Sequence, residues 1–258
     1  MNRLERINYV RQSLKSGNPS IGSWMQIPHA SIAEIMGRSG YDWVAVDLEH
    51  GSIDTSQLPD IFRALELGNT LPMVRVAQGH PKDCKRALDA GAGGIIVPMV
   101  ETAEQLIEVR NGCRFPPSGT RGIGFSRANL FGKSFENYIK EAQAPLLVAM
   151  IEHVSAVNNL DEILNVEGLD AILVGPYDLS ASMGITGEFE RKEFADVMSR
   201  IHLICGQKNI PCGIHIVTPD ENLLSQRINE GYRFIAYGID SVFLNAFTSN
   251  PLKKNESH

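Results

Sequence analysis

The chain has little of what marks secreted, membrane or nucleic-acid-binding proteins. Only 4 of its 258 residues are cysteine, and Cys84, Cys113, Cys205 and Cys212 form no C-x-x-C pair. That excludes a disulfide scaffold and the common zinc modules, and it predicts reduced thiols in a cytoplasmic protein. No apolar run approaches the ~20 residues needed to cross a bilayer, so no membrane partner is expected. The N-terminus, MNRLERINYVRQSLKSG, also lacks the apolar core of a signal peptide. Its Leu4, Ile7, Val10 and Leu14 fall on one side of a helix expected over 3–16. There is no basic surplus: 24 Lys and Arg against 30 Asp and Glu leave a net charge of −6. A nucleic-acid partner would need a basic surface and is disfavoured. Aromatic residues make up only 7%, but the hydrophobic fraction of 43% supplies a full core and excludes disorder.

What is present is an alternation. Short β-type runs occur near Ile21–Gln26, Asp42–His50, Leu71–Ala77, Gly93–Met99, Leu146–Glu152, Asp170–Pro176, Pro211–Val217 and Phe234–Asp240. Between them lie helical patterns such as SIAEIMGRSG, TSQLPDIFRALELG, PKDCKRALDAG and TPDENLLSQRINEG, several ending in glycine. Strand–helix alternation implies a parallel sheet. About eight units without a linker predict an α/β fold, a single (β/α)8 TIM barrel over 1–258. A short C-terminal helix is expected after strand 8. An open doubly wound sheet is the competing architecture, but GSWMQIPH after strand 1 is no glycine fingerprint. Loops 7 and 8, HIVTPDEN and YGIDSVFL, lack the glycine-rich cradle of a phosphosugar enzyme. The longest irregular stretch, Cys113–Gly132, is read as a loop after strand 4, on the catalytic face.

A barrel builds its active site at the C-terminal ends of its strands. Those ends carry Trp24 and Gln26, then Asp47, Glu49 and His50, then Arg75, Glu152 and Gly175-Pro176-Tyr177-Asp178. Each has an ordinary explanation by itself. Asp178 ahead of LSASMG can cap a helix, and Arg75 in PMVRVA can form a structural ion pair with Asp47 or Glu49. Their common rim favours function. Glu152 and Asp178 form an oxygen-only pair suited to Mg²⁺ or Mn²⁺. Two protein ligands leave positions open for water and a chelating 2-oxo acid. Schiff-base chemistry needs a strand lysine, and no expected strand carries one.

The segments GSW, DWVAVDLEHG, MVRV, GGIIVPMVETAEQ, RFPPSGTRGIG, MIEH and VEGLDAILVGPYDLSASMG resemble the HpcH/HpaI aldolase family, in order, from about Ile21 to Ala246. The resemblance implies a class II pyruvate aldolase on a (β/α)8 barrel. It implies a hexamer with C-terminal helices exchanged between neighbours. Glu152 and Asp178 match the family's metal ligands, and Arg75 matches the arginine on the keto oxygen. His50 with Asp47 matches an acid/base dyad, and Trp24 a wall of the pyruvate pocket. The backbone of Gly175, Pro176 and Tyr177 matches the stretch receiving the pyruvate carboxylate. The expected reaction is cleavage or formation of a 4-hydroxy-2-oxo acid, giving pyruvate plus an aldehyde. The chain departs from the pattern at Met150, where relatives commonly have glutamine. It departs again at His215, which stands near the aldehyde pocket, and at Phe125. Met150 and His215 are therefore substrate-contact candidates. A condensing enzyme of the same fold, an acyl-CoA lyase relative and a non-catalytic relic are the competing readings.

Overall fold

Eight strands close into one parallel barrel in the order of the sequence, in a computed structural model that describes residues 1–248. The chain opens with α1 (Arg3–Lys15), β1 (Ser20–Met25), α2 (Ala30–Gly37), β2 (Trp43–Asp47), α3 (Leu58–Leu67) and β3 (Leu71–Arg75). It continues through α4 (Pro81–Ala90), β4 (Gly94–Val97), α5 (Ala103–Cys113), a 3₁₀ turn (Arg127–Gly132), α6 (Phe135–Glu141) and β5 (Leu146–Ile151). Then come α7 (Val154–Asn158), α8 (Leu160–Leu164), β6 (Ala171–Val174), α9 (Pro176–Ser182) and α10 (Lys192–Lys208). The chain finishes with β7 (Cys212–Ile216), α11 (Glu221–Asn229), β8 (Phe234–Ile239) and α12 (Asp240–Phe247). All eight expected strands are present, each ending one to three residues before its expected end, where the polar rim begins. The last ten residues of the expected span, 249–258, lie outside the described part.

Two apolar layers hold the barrel. The outer one joins strand residues such as Val44, Val74, Ile95, Ile172 and Ile214 to the surrounding helices. The inner one is filled by Trp24, Trp43, Met73, Ile96, Val148, Leu173 and Phe234. Residues two apart on a strand share a face, so alternate residues feed alternate layers. Ile7, Val10 and Leu14 of α1 join the inner layer. The helix therefore stops the N-terminal mouth of the barrel, which is why its apolar side is needed. Trp43 stacks on Phe234 with ring centroids 4.2 Å apart. The indole fits because residue 22 is glycine: a Cβ there would lie 2.1 Å from the Trp43 ring.

One expectation is corrected. Cys113–Gly132 is not a loop on the catalytic face. A capping box, Thr102 with Gln105, starts α5 directly after β4, and this helix carries the chain back to the opposite end of the barrel. The stretch then packs around the C-terminal end of α4. Arg127 donates to the Ala90 carbonyl, Arg3 donates to the Ala128 carbonyl, and Arg121 pairs with Asp89 at 3.8 Å. Its role is to buttress the closed end. All four cysteines are buried, with Cys84 against Cys113 and Cys205 against Cys212.

Candidate active site

The inner face is apolar along its length and turns polar only at the C-terminal rim. β2 presents Trp43, Ala45 and then Asp47; β3 presents Leu71, Met73 and then Arg75. β5 presents Leu146, Val148 and Met150, with Glu152 on the same face one step past the strand end. Parallel register sets Asp47 beside Arg75.

Asp47 is completely buried. Arg75 grips it with Nε to Oδ1 at 2.9 Å and Nη2 to Oδ2 at 2.6 Å. The Gln26 side-chain amide donates to Oδ2 at 3.0 Å, and the backbone N–H groups of Glu49 and His50 donate to Oδ1 at 3.0 and 3.3 Å. Burial alone would raise the Asp47 pKa. The guanidinium and these donors outweigh it and hold the carboxyl down at about 2. A second acid, Glu49, meets Arg75 Nη1 at 3.0 Å. The ion pair offered by the sequence as an alternative for Arg75 is thus formed, with both acids. The dyad expected of His50 and Asp47 is not formed through the imidazole. The two residues meet through the His50 backbone N–H, and His50 is exposed. The reason is register: the Asp47 carboxylate is saturated by Arg75, Gln26 and the turn that follows β2.

Trp24 is 1% exposed and lies under the guanidinium, 5.0 Å from its ring centre to Arg75 Cζ. It also meets the His215 ring at 4.9 Å. Burial pushes the His215 pKa down to about 4, against the pull of the Gly238 carbonyl 3.2 Å from Nε2. A neutral ring that donates from Nε2 keeps Nδ1 as an acceptor.

Glu152 is 3% exposed. Its Oε1 accepts the Met99 N–H at 2.6 Å, and Met99 adopts a left-handed backbone with φ 50°. Burial drives the Glu152 pKa up to about 7. The Met99 N–H opposes that shift, while the carboxylates of Glu49 and Asp178 add to it. Asp178 is exposed in the first turn of α9, and the N-cap position belongs to Gly175. It is therefore not the helix cap that the sequence also allowed. Two carboxylates of like charge, one of them buried, make a donor set that a divalent cation would relieve. Among the described residues no group of three His, Cys, Asp or Glu could cage a metal. Glu152 and Asp178 would be the residues to hold such a cation, and water and substrate would fill the remaining positions.

Glycine at 175 makes room for the Glu152 carboxylate. A Cβ at this position would lie 2.7 Å from Glu152 Oε2. The φ of −96° suits any L-residue, so backbone strain is not at issue. Gly175→Ala is expected to push the carboxylate aside and weaken Mn²⁺ binding about 10-fold, the lower range for disturbing a ligand's support. Calorimetric titration checks this, with the melting temperature close to wild type. Unchanged affinity would show that Glu152 has space to move.

Tyr177 and His215 also border a cavity of about 760 Å³ between α10 and α11, together with Phe189, Met198 and Thr218. Asp47, Arg75, Glu152 and Asp178 do not line it. Pro176, Tyr177 and His215 thus stand where the cavity meets the charged rim. Four rim residues were given no catalytic, binding or metal role from sequence: Gln26, Glu49, Met99 and Asp240, Glu49 being read only as a candidate ion-pair partner of Arg75. Asp240 accepts the backbone N–H groups of Gln26 and Ile27, both at 2.9 Å, and so ties the end of β1 to the end of β8. Gln26 and Glu49 were visible as polar residues at strand ends. Nothing in the sequence marks Met99.

Comparison with known proteins decides the family. Residues 20–246 match the HpcH/HpaI aldolase/citrate lyase family. The chain belongs to that family. This HpcH/HpaI family member is 37% identical to a hydroxypyruvate/pyruvate aldolase of Roseobacter denitrificans, over 92% of the chain and 93% of the relative. It is 38% identical to a 4-hydroxy-2-oxovalerate aldolase of Novosphingobium aromaticivorans, over 91% of the chain and 89% of the relative. Among solved structures, a family protein from Burkholderia cenocepacia superposes with a TM-score of 0.87 at 31% identity, covering 93% of this chain and 96% of that one. The family member is an enzyme of the aldolase class, and its family is generally dependent on divalent metals.

Proposed function

We propose that this aldolase cleaves or forms a 4-hydroxy-2-oxo acid, with pyruvate and an aldehyde as the other side of the reaction. In this reading Glu152 and Asp178 hold Mg²⁺ or Mn²⁺. The observation that carries it is the meeting of a two-edged Arg75 clamp with a buried Glu152 on one rim. When bound, the cation supplies Lewis acidity at the keto oxygen.

The chain's own residues account for the rest. Arg75 keeps N–H donors free of Asp47, and these stabilise charge developing on the keto oxygen as the enolate forms. In cleavage the 4-hydroxyl loses its proton and becomes the aldehyde carbonyl. The C3–C4 bond breaks, and its electron pair passes into the pyruvate enolate. Protonation at C3 completes pyruvate. His50, exposed at the rim, exchanges protons through a water rather than as the partner of Asp47. Pro176 has no N–H, so the amides of Tyr177 and Asp178 in the first turn of α9 are the donors for the substrate carboxylate. Trp24 and Met150 wall the pyruvate side, and His215 faces the aldehyde side. The absence of lysine from all eight strands fits a mechanism without a Schiff base.

The assembly proposed is a hexamer with exchanged C-terminal helices. Leu244 and Phe247 of α12 support it, being 52% and 89% exposed. The compartment proposed is the cytoplasm, consistent with the reduced thiols. Among the described residues no helix is long and apolar enough to cross a membrane.

Enolate formation needs no aldehyde. The enzyme should therefore exchange the methyl protons of pyruvate for deuterium when pyruvate is the only substrate, followed by proton NMR in D₂O. Exchange that requires Mg²⁺ or Mn²⁺ supports the proposal. No exchange of pyruvate by protein with bound metal would refute it, and exchange of an acyl thioester instead would point to a condensing enzyme.

A further inference from the structure

Glu49 is a rim residue to which neither the family resemblance nor the proposed mechanism gives a task. Its carboxylate stands in unfavourable company. Asp47, Asp178 and Glu152 all lie close enough to repel it. A rim acid free to be solvated would turn away from three like charges. Glu49 is instead only 20% exposed at its side chain, with Oε2 3.0 Å from Arg75 Nη1. That is its only side-chain polar contact among the described residues. The ion pair with Arg75 therefore sets where this side chain lies.

The contact supplies something Asp47 cannot. A guanidinium carries one N–H on Nε and two on each terminal nitrogen. Asp47 engages Nε and Nη2, which is one edge of the group. A plane held by a single edge can still tilt about that edge. Glu49 acts on Nη1, the nitrogen Asp47 does not reach. Its own backbone N–H donates to Asp47 Oδ1 at 3.0 Å, so one residue braces both members of the clamp. N–H donors on both terminal nitrogens remain for an incoming oxygen.

We infer that Glu49 is a positioning residue that fixes the plane of Arg75 over the reacting oxygen. The inference rests on the proposed role of Arg75 at the keto oxygen. It places Glu49 outside the metal-ligand pair and outside direct substrate contact. Misplacement of a reacting group by about 1 Å costs on the order of 100-fold, so a loosened guanidinium has a measurable effect.

Two variants test it. Glu49→Ala removes the brace, whereas Glu49→Gln keeps its length and an oxygen that can accept from Nη1. Glu49→Ala is expected to slow pyruvate methyl exchange about 10- to 100-fold at saturating pyruvate, with a much smaller change in KM. Glu49→Gln should recover most of the rate. A readout independent of turnover is available because Arg75 lies 5.0 Å over Trp24. In metal-free protein, Glu49→Ala should alter the near-ultraviolet circular dichroism of tryptophan, and Glu49→Gln should not. Wild-type rates in Glu49→Ala would overturn the inference. So would equal impairment in both variants, because charge rather than positioning would then be the role. If the wild-type enzyme fails to exchange pyruvate, the proposed reaction falls, and the tryptophan signal still decides whether Glu49 holds Arg75.

Discussion

Glu152→Gln should eliminate divalent-cation binding and turnover together while leaving the barrel folded. Disturbing a residue that merely supports a metal ligand costs about 10- to 100-fold in affinity. Loss of one of the two proposed protein ligands is therefore expected to exceed about 100-fold. The substitution is otherwise gentle. Glutamine has the same length, and its amide oxygen can still accept the Met99 N–H that Glu152 takes at 2.6 Å. It also removes a carboxylate from a place 3% exposed and crowded by Glu49 and Asp178. The metal-free variant should consequently melt no lower than metal-free wild type, because a buried charge has been traded for a neutral amide. Mn²⁺ calorimetry, an aldolase assay with and without chelator, and melting curves would test all three expectations. Wild-type affinity in Glu152→Gln, or full activity after chelation, would remove Glu152 from the metal site.

Arg75→Ala should have the largest effect among the non-ligand residues, and it should act in two separable ways. Loss of a donor to a developing oxyanion costs on the order of 100- to 1000-fold in rate. Loss of the one cation that grips Asp47 among the described residues strands a carboxylate with 0% side-chain exposure, and breaking a buried pair this way costs about 3–5 kcal/mol. The single variant is expected to be both slow and unstable. Adding Asp47→Asn removes the stranded charge. The double variant should regain most of the stability and none of the pyruvate exchange. Arg75→Lys should fold well yet remain slow, since an ammonium cannot reproduce the planar two-edged clamp. Restoration of exchange in the double variant would make Arg75 a structural counter-ion and nothing more.

The clamp also shows where sequence reading stops. The runs WVAVD and LPMVR are continuous apolar stretches that end in a charge, so the strands and the place of Asp47 and Arg75 at their C-terminal ends were legible. Which acid would claim Arg75 was not. The pairing of β2 with β3 decides it, and that register is a long-range property. The same register consumed the carboxylate that a His50–Asp47 dyad would need. Met99 was invisible for a local reason. Its left-handed backbone is imposed by the turn after β4, and methionine carries no turn signal. The misplacement of Cys113–Gly132 was avoidable. Thr102 and Gln105 in ETAEQ spell a capping box, which starts a helix and puts the following loop at the opposite end of the barrel.

The paired, buried cysteines have a use unrelated to catalysis. Each thiol is shielded by packing, and contact with its neighbour together with burial raises the pKa of Cys84 and Cys212. A thiolate-selective dye should therefore leave the native molecule almost unstained. Labelling would then proceed only as fast as the barrel opens, so dye uptake over time becomes a clock for unfolding in dilute or mixed samples. The same silence makes any cysteine introduced on the surface a single addressable attachment point, with no need to remove the natural four.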